Sequence, residues 1–188
     1  MKKVNLAIIT VLIMLVAIVT IYETMLNNKS QQGDLRGKIY SYMMDKQNRI
    51  EVYEAAIDLN GGKSANTCVY FLSEVLRRND VQISKDTANT SQILKKLNQM
   101  GWKKDTDYKN LQPGDIGFTT DADGNKEGIP THTYIFMGWV EKGNYDFAYI
   151  VDNQAKDYDN KIYHISNIKN VGEANGFTKE AFSFFMSP

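Results

Sequence analysis

The stretch from Thr131 to Val140, THTYIFMGWV, decides the fold class of this chain. It is rich in aromatic and β-branched residues and follows the loop 128–131, so it predicts a β-strand over Thr133–Val140. Turn residues on either side of it, such as Lys142-Gly143-Asn144, indicate that further strands follow. Similar runs predict these strands at Ile116–Thr119, Phe147–Val151, Lys161–Ile165 and Ala181–Met186, for a total of about five.

Helical patterns precede the strands. Apolar residues recur three and four positions apart from Asp34 onward, at Ile39, Tyr42, Met43, Ile50, Tyr53 and Ile57. A third helix is predicted from Ala65 to Arg78, with Ser64 or Asn66 as its cap, and a fourth from Ser91 to Met100. Helices followed by strands indicate an α+β domain, in which the helices pack on one antiparallel sheet.

The N-terminal segment has the pattern of an export signal. A basic start, Met1-Lys2-Lys3, precedes the uncharged apolar run Val4–Tyr22, which is about as long as a membrane-spanning helix. Residues 1–22 are therefore predicted to be a transmembrane signal anchor or a signal peptide, residues 23–33 a polar linker, and residues 34–188 the domain. The lysines favour a domain outside the cytoplasm, held at the cell membrane by a single pass or secreted if the segment is cleaved.

Composition disfavours several classes of protein. Lysine plus arginine equals aspartate plus glutamate at 22 each, whereas nucleic-acid-binding proteins usually carry a basic excess. No histidine-rich cluster is present. Oxygen-bearing side chains alternate in the segment 121–127, but its glycine falls too early for an EF-hand loop and a hairpin tip explains the pattern as well. We therefore expect no nucleic-acid partner, no metal and no cofactor.

Cys68 is the only cysteine in the chain. Outside the cytoplasm a structural cysteine normally has a disulfide partner, and this one has none within the chain. It is therefore a buried small side chain, an intermolecular bridge or a reactive thiol. Its predicted place at the start of the third helix favours a thiolate, because unpaired N–H groups and the positive end of the helix dipole lie there.

Two histidines and one polar triplet offer partners for the thiol. His132 opens a strand after a loop, where a side chain is held yet partly exposed, as a general base requires. His164 lies in mid-strand and is the weaker candidate. Asp152-Asn153-Gln154 ends the strand after that of His132, and a hairpin would place Asp152 or Gln154 beside the imidazole to orient it. The same triplet is also typical of a turn.

The pattern resembles the papain-like CHAP amidase/peptidase domain and the related NlpC-family cell-wall peptidases. The likeness spans residues 51–188 and rests on Cys68 at a helix start, the run LQPGDIGF at 111–118, His132 and the later Asp152-Asn153-Gln154. It implies that Cys68 is the nucleophile and His132 the base. The triplet matches the Glu-x-Asn pair of CHAP domains, with a shorter acid and a longer amide. Asn66 and Thr67 stand where these families usually carry an aspartate or glutamine, so the side-chain half of the oxyanion hole is unassigned.

The resemblance also implies a papain-like fold and a function. The chain would be an exported cysteine amidase or endopeptidase that cleaves amide bonds in peptidoglycan or its stem peptide, without a cofactor. Two alternatives stay open. One is a catalytically inactive module on the same fold that binds the cell wall or a partner. The other is a transglutaminase-like acyl transferase.

Overall fold

Four α-helices form the first half of the described chain: α1 (Lys2–Met44), α2 (Lys46–Leu59), α3 (Cys68–Arg78) and α4 (Thr90–Gln99). The computed structural model describes residues 2–121, 125 and 127–188, without the side chains of 2–10 and 26–34. By its internal contacts the chain divides into two units, Met1–Asp34 and Leu35–Pro188.

The first unit is helical throughout its described backbone, including residues 23–33, which the sequence predicts to be a linker. Among the described residues, no helix has an apolar stretch long enough to cross a membrane. The predicted span Val4–Tyr22 lies partly outside the described side chains and stays a prediction.

The helix starts differ from the sequence prediction in an informative way. Helix α2 is capped by Asp45, whose Oδ1 accepts from Asn48 N at 3.0 Å, and α4 is capped by a reciprocal box between Asn89 and Gln92. Helix α3 begins at Cys68, three residues later than predicted, and neither Ser64 nor Asn66 caps it. The cause is local: Asn66 has φ +57°, a left-handed conformation that a right-handed helix cannot include.

The second half of the domain is β-structure. The described strands are β1 (Lys103–Asp105), β2 (Ile116–Thr119), β3 (His132–Glu141), β4 (Asn144–Val151), β5 (Tyr163–Asn167), β6 (Gly172–Ala174), β7 (Phe177–Lys179) and β8 (Phe184–Ser187). Six of them form one antiparallel sheet in the order β1-β8-β2-β3-β4-β5, and β6 pairs with β7 in a separate hairpin. The α+β class is confirmed; the prediction of about five strands omitted β1 and the β6–β7 hairpin.

The central strand β3 places alternate side chains in two cores. Ile135 and Met137 join the helix side chains in one cluster, which includes Val69 and Leu72 of α3. Tyr134 and Phe136 belong to a second cluster, with Ile150 and residues of the C-terminal segment. The helices therefore cover one face of the sheet, and the other face packs against Tyr108 and Leu111 as well as residues of the chain that follows β5.

The turn at Gln112-Pro113-Gly114-Asp115 packs against α1. Gly114 has φ +97°, and a Cβ there would lie 2.3 Å from the carbonyl oxygen of Arg36, so only glycine fits. Asp115 follows, almost fully buried, with its Oδ1 3.0 Å from the Nε of Arg36. Burial raises the pKa of Asp115 to about 6, although the amide of Gln112 and the charge of Arg36 act to lower it.

Candidate active site

The β3–β4 hairpin brings His132 and Asp152 together. His132 is the first residue of β3, and Asp152 directly follows the last residue of β4, so both lie at the same end of the two paired strands. The Nε2 of His132 donates to the Oδ2 of Asp152 at 2.9 Å. Of the three polar candidates in the triplet, the acid is the one that bonds the imidazole.

Asp152 is held as a buried carboxylate. It is 1% exposed, and its Oδ1 accepts from the backbone N–H of Gln154 at 2.8 Å. Burial acts to raise its pKa, but the hydrogen bonds from His132 and from the Gln154 amide and the charge of His132 hold the pKa below its usual value. Asp152 therefore starts the turn and orients the histidine at once.

Cys68 lies on the other side of the imidazole. Burial acts to lower the pKa of His132, but hydrogen bonds to Asp152 and to Cys68 raise it to about 10. Because Nε2 is occupied by Asp152, Nδ1 is the ring nitrogen left for a second partner. The ring thus bridges a carboxylate and a thiol, and it is a strong acceptor for the proton of the thiol.

The first turn of α3 keeps its amides free of a side-chain cap. Thr67 occupies the cap position, but its hydroxyl donates to the carbonyl of Lys63 at 2.8 Å and makes no cap hydrogen bond. The first backbone bond of the helix runs from Phe71 N to Thr67 O, so the N–H groups of Cys68, Val69 and Tyr70 have no intrahelical acceptor. These amides are suited to a negative charge that forms beside the sulfur.

The other predicted residues have different roles. Asn66 is exposed and lines the pocket that contains Cys68. Asn153 donates through Nδ2 to the carbonyl of Ser64 at 3.3 Å, which ties the end of β4 to the loop before α3. Gln154 bonds Asp152 through its backbone and lines the pocket. The strand ends at Val151, so the expected alternation of side chains across the triplet does not apply.

His164 is a buried neighbour of Asp152. It is 4% exposed and stacks on Tyr158, with ring centroids 3.6 Å apart. Its Nδ1 must carry a proton, since it lies 3.1 Å from the carbonyl oxygen of Lys161, which can only accept. Burial lowers the pKa of His164, so the ring is neutral near pH 7, with Nε2 3.9 Å from Asp152 Oδ1. Its burial and contacts leave His132 as the histidine available to a substrate.

The site opens into a pocket of about 340 Å³. Cys68, His132 and Asp152 line it at one end of the sheet. The remaining wall includes residues that sequence analysis did not identify: Tyr134, Ile150, Ser166, Thr178, Lys179 and Glu180. Tyr134 could have been noticed, because it lies two positions after His132 on the same strand face. Glu180 comes 48 positions after His132, and no local pattern marks it.

Among the described residues, no group of three or more histidine, cysteine, aspartate or glutamate side chains is placed to hold a metal ion. Residues 122–124 and 126 of the segment considered for calcium lie outside the described residues. Comparisons of the chain with protein-family models, with curated proteins and with solved structures find no match.

Proposed function

We propose that the domain is a cysteine amidase or endopeptidase of papain-like CHAP or NlpC type that cleaves amide bonds in peptidoglycan. One observation carries the proposal: His132 is hydrogen-bonded to Asp152 at 2.9 Å and lines one pocket with Cys68, which raises the pKa of the ring. A nucleophile, a base and an orienting acid in contact are the parts that acyl transfer requires.

Before the first step the proton of Cys68 has passed to His132, and the thiolate then attacks the carbonyl carbon of the amide. The C–S bond forms as the carbonyl oxygen takes up the negative charge. When the tetrahedral intermediate collapses, the C–N bond breaks and the imidazolium of His132 gives its proton to the leaving amine. The acyl group remains on Cys68 as a thioester. Asp152 keeps the ring in the orientation that both transfers need.

In the second step water resolves the thioester. His132, now neutral, accepts a proton from the water that attacks the acyl carbon. The C–S bond breaks, a carboxylic acid leaves, and the proton returns to Cys68. The cycle needs no metal and no cofactor.

The unpaired amides at the start of α3 are the donors that would stabilise the oxyanion. The backbone N–H of Cys68 is the closest to the reacting carbon, because it belongs to the nucleophile itself. Asn66 lines the same pocket and is our candidate for a second, side-chain donor. Removing one such donor typically lowers kcat by about 100- to 1000-fold.

The substrate and the location are proposed from the resemblance and from the N-terminal segment. Peptidoglycan or its stem peptide is the substrate on which CHAP and NlpC domains act. The basic start and the run Val4–Tyr22 would place the domain outside the cytoplasm, at the membrane or released from it.

The direct test is Cys68→Ala in the full chain. We expect the variant to keep the thermal unfolding profile of the wild type and to release no new amino groups from purified peptidoglycan, because the nucleophile is gone. Ser91→Ala, on an exposed position of α4, is the control and should digest at the wild-type rate. Digestion by Cys68→Ala would contradict the assignment.

Two added measurements separate the alternatives. Iodoacetamide should alkylate Cys68 faster than free cysteine at pH 7, whereas a binding module would show no such acceleration. Mass spectrometry of digests with an added primary amine should show hydrolysis products, whereas a transglutaminase-like enzyme would join the amine to the acyl group.

A further inference from the structure

We infer that Glu180 forms a subsite for a primary ammonium group of the substrate, next to the scissile amide. The inference rests on the proposed function, because it places this group on the substrate of the same site. Glu180 follows β7 and lines the pocket together with Cys68 and His132.

The carboxylate is fixed close to the base. Its Oε2 accepts from the hydroxyl of Thr119 at 2.7 Å and also from the hydroxyl of Thr131. Thr119 pairs with His132 across β2 and β3, and Thr131 directly precedes it. Two donors on one oxygen hold the carboxylate in place, and Oε1 has no hydrogen-bond partner among the described residues.

The negative charge of Glu180 is not neutralised by the described part of the protein. Lys179 is adjacent in sequence, but its Nζ lies 2.5 Å from Asp157 Oδ2 and 5.6 Å from the ring centroid of Tyr158. The charge of His132 is matched by Asp152. A half-buried carboxylate with an open oxygen favours a cation with N–H donors, and an ammonium has both properties.

Two buried groups in the pocket also lack partners within the described chain. The Oη of Tyr134 and the Oδ1 of Asn153 are buried without a hydrogen bond, and both residues line the pocket. A buried polar atom without a partner is costly, which favours a ligand that supplies one. Tyr134 can donate to a carbonyl and Asn153 can accept from an amide N–H. The three groups together fit a peptide that carries a free amine near the bond to be cut.

Such an amine has two sources in a stem peptide, the N-terminus and the side chain of a diamino acid. The probe is the synthetic tetrapeptide L-Ala-D-γ-Glu-L-Lys-D-Ala in four forms: unmodified, acetylated on the α-amine, acetylated on the lysine ε-amine, and acetylated on both. Binding to full-length Cys68→Ala is measured by titration calorimetry, so the measurement does not depend on turnover. The singly acetylated forms identify which amine is bound.

We expect the doubly acetylated peptide to bind roughly 10- to 100-fold more weakly than the unmodified one, as for loss of a hydrogen bond to a charged group. Adding Glu180→Gln to Cys68→Ala should abolish this difference, because the amide keeps the shape but not the charge. Glu173→Gln, on the exposed side of the same hairpin, is the matched control and should leave the difference intact.

Equal affinity for all four peptides, or no binding of any, would overturn the inference. The inference would also be overturned if Glu180→Gln lowered the affinity for all four peptides by the same factor. The glutamate would then serve only to join β2 and β3 to the hairpin. If Glu180→Gln fails to fold, the comparison of the four peptides on Cys68→Ala still decides. The proposed function is tested separately, by digestion of peptidoglycan with the wild type. If the wild type does not digest peptidoglycan but the peptides with a free amine still bind more tightly, the hydrolase is refuted and the ammonium subsite is retained.

Discussion

His132 owes its chemistry to its two neighbours. Burial alone would favour the neutral ring, yet the bonds to Asp152 and Cys68 raise its pKa to about 10. The imidazolium form of His132 therefore persists well above pH 7. Its contribution to stability follows the same titration: it is fully present below the unfolded pKa of about 6.5 and is lost as the pH rises through the folded value near 10.

Replacing Asp152 with asparagine should therefore change the pH profile of the proposed hydrolysis. The variant loses the charge that raises the pKa of His132, so the alkaline limb of kcat/KM should move down by at least about one pH unit. The measurement is kcat/KM on peptidoglycan fragments from pH 5 to 11. Asp159→Asn, an exposed acid outside the pocket, should keep the wild-type profile. An unchanged alkaline limb in Asp152→Asn would show that Asp152 does not control His132.

At the scale of single residues, the sequence is most informative about the candidate site where the residue types are rare in the chain. A lone cysteine, one histidine at a strand start and one acid at a strand end could be paired by order and spacing. Glu180 and the buried hydroxyl of Tyr134 could not, because a glutamate or tyrosine in a mixed sequence has many ordinary explanations. Their significance depends on which strands adjoin the pocket, and that is a tertiary property.

At the scale of elements, helices with strong caps can be located within a residue or two. Helix α4 begins at Thr90, one residue before the predicted Ser91. Its capping box is a pattern in the sequence, because Asn89 is followed three positions later by Gln92. Helix α3 was predicted too long because Asn66 also has the composition of a cap, although its left-handed φ places it outside the helix. Strands of three residues, such as β1, β6 and β7, are too short to show an alternating pattern.

The cap of α4 gives a prediction about stability alone. Asn89→Ala should lower the free energy of unfolding by about 1 kcal/mol, because the amide of Gln92 loses its acceptor. Chemical denaturation measures the change. The proposed activity on peptidoglycan should be unaffected, since α4 does not line the pocket that contains Cys68. Ser91→Ala, two residues after the cap, should leave the free energy of unfolding almost unchanged. A similar loss of stability in both variants would contradict the role of the cap.

At the scale of the whole domain, the strand order is the property that sequence patterns could not supply. The last strand, β8, lies between β1 and β2, so residues 103–105 and 116–118 each pair with the C-terminus. Periodicity reports which residues face a core, but it carries no information on which distant strand is the neighbour. The hairpin of β3 and β4 was predictable, because a short turn joins consecutive strands.

The ion pair of Arg36 with the buried Asp115 joins α1 to the start of β2 and gives a prediction at this scale. The folded pKa of Asp115, about 6, exceeds its unfolded value of 3.8, so the wild type loses stability from this group as the pH rises from about 4 to 6. Arg36→Met leaves a buried carboxylate unpaired and should cost about 3 kcal/mol at pH 7. The cost should be smaller at pH 5, where Asp115 holds its proton.

Urea denaturation at pH 5 and pH 7 provides the measurement. The double variant Arg36→Met with Asp115→Asn should recover much of the stability lost at pH 7, because no buried charge remains. A loss in Arg36→Met that is equal at both pH values would instead point to the packing of the arginine stem.

The solitary thiol also has a redox consequence. Cys68 is a free thiol and partly exposed, so peroxides can reach its sulfur. A sulfenic acid formed there has no resolving cysteine within the chain, since no second cysteine exists. Recovery then depends on a thiol supplied from solution, and in its absence the sulfur can proceed to the irreversible sulfinic and sulfonic acids.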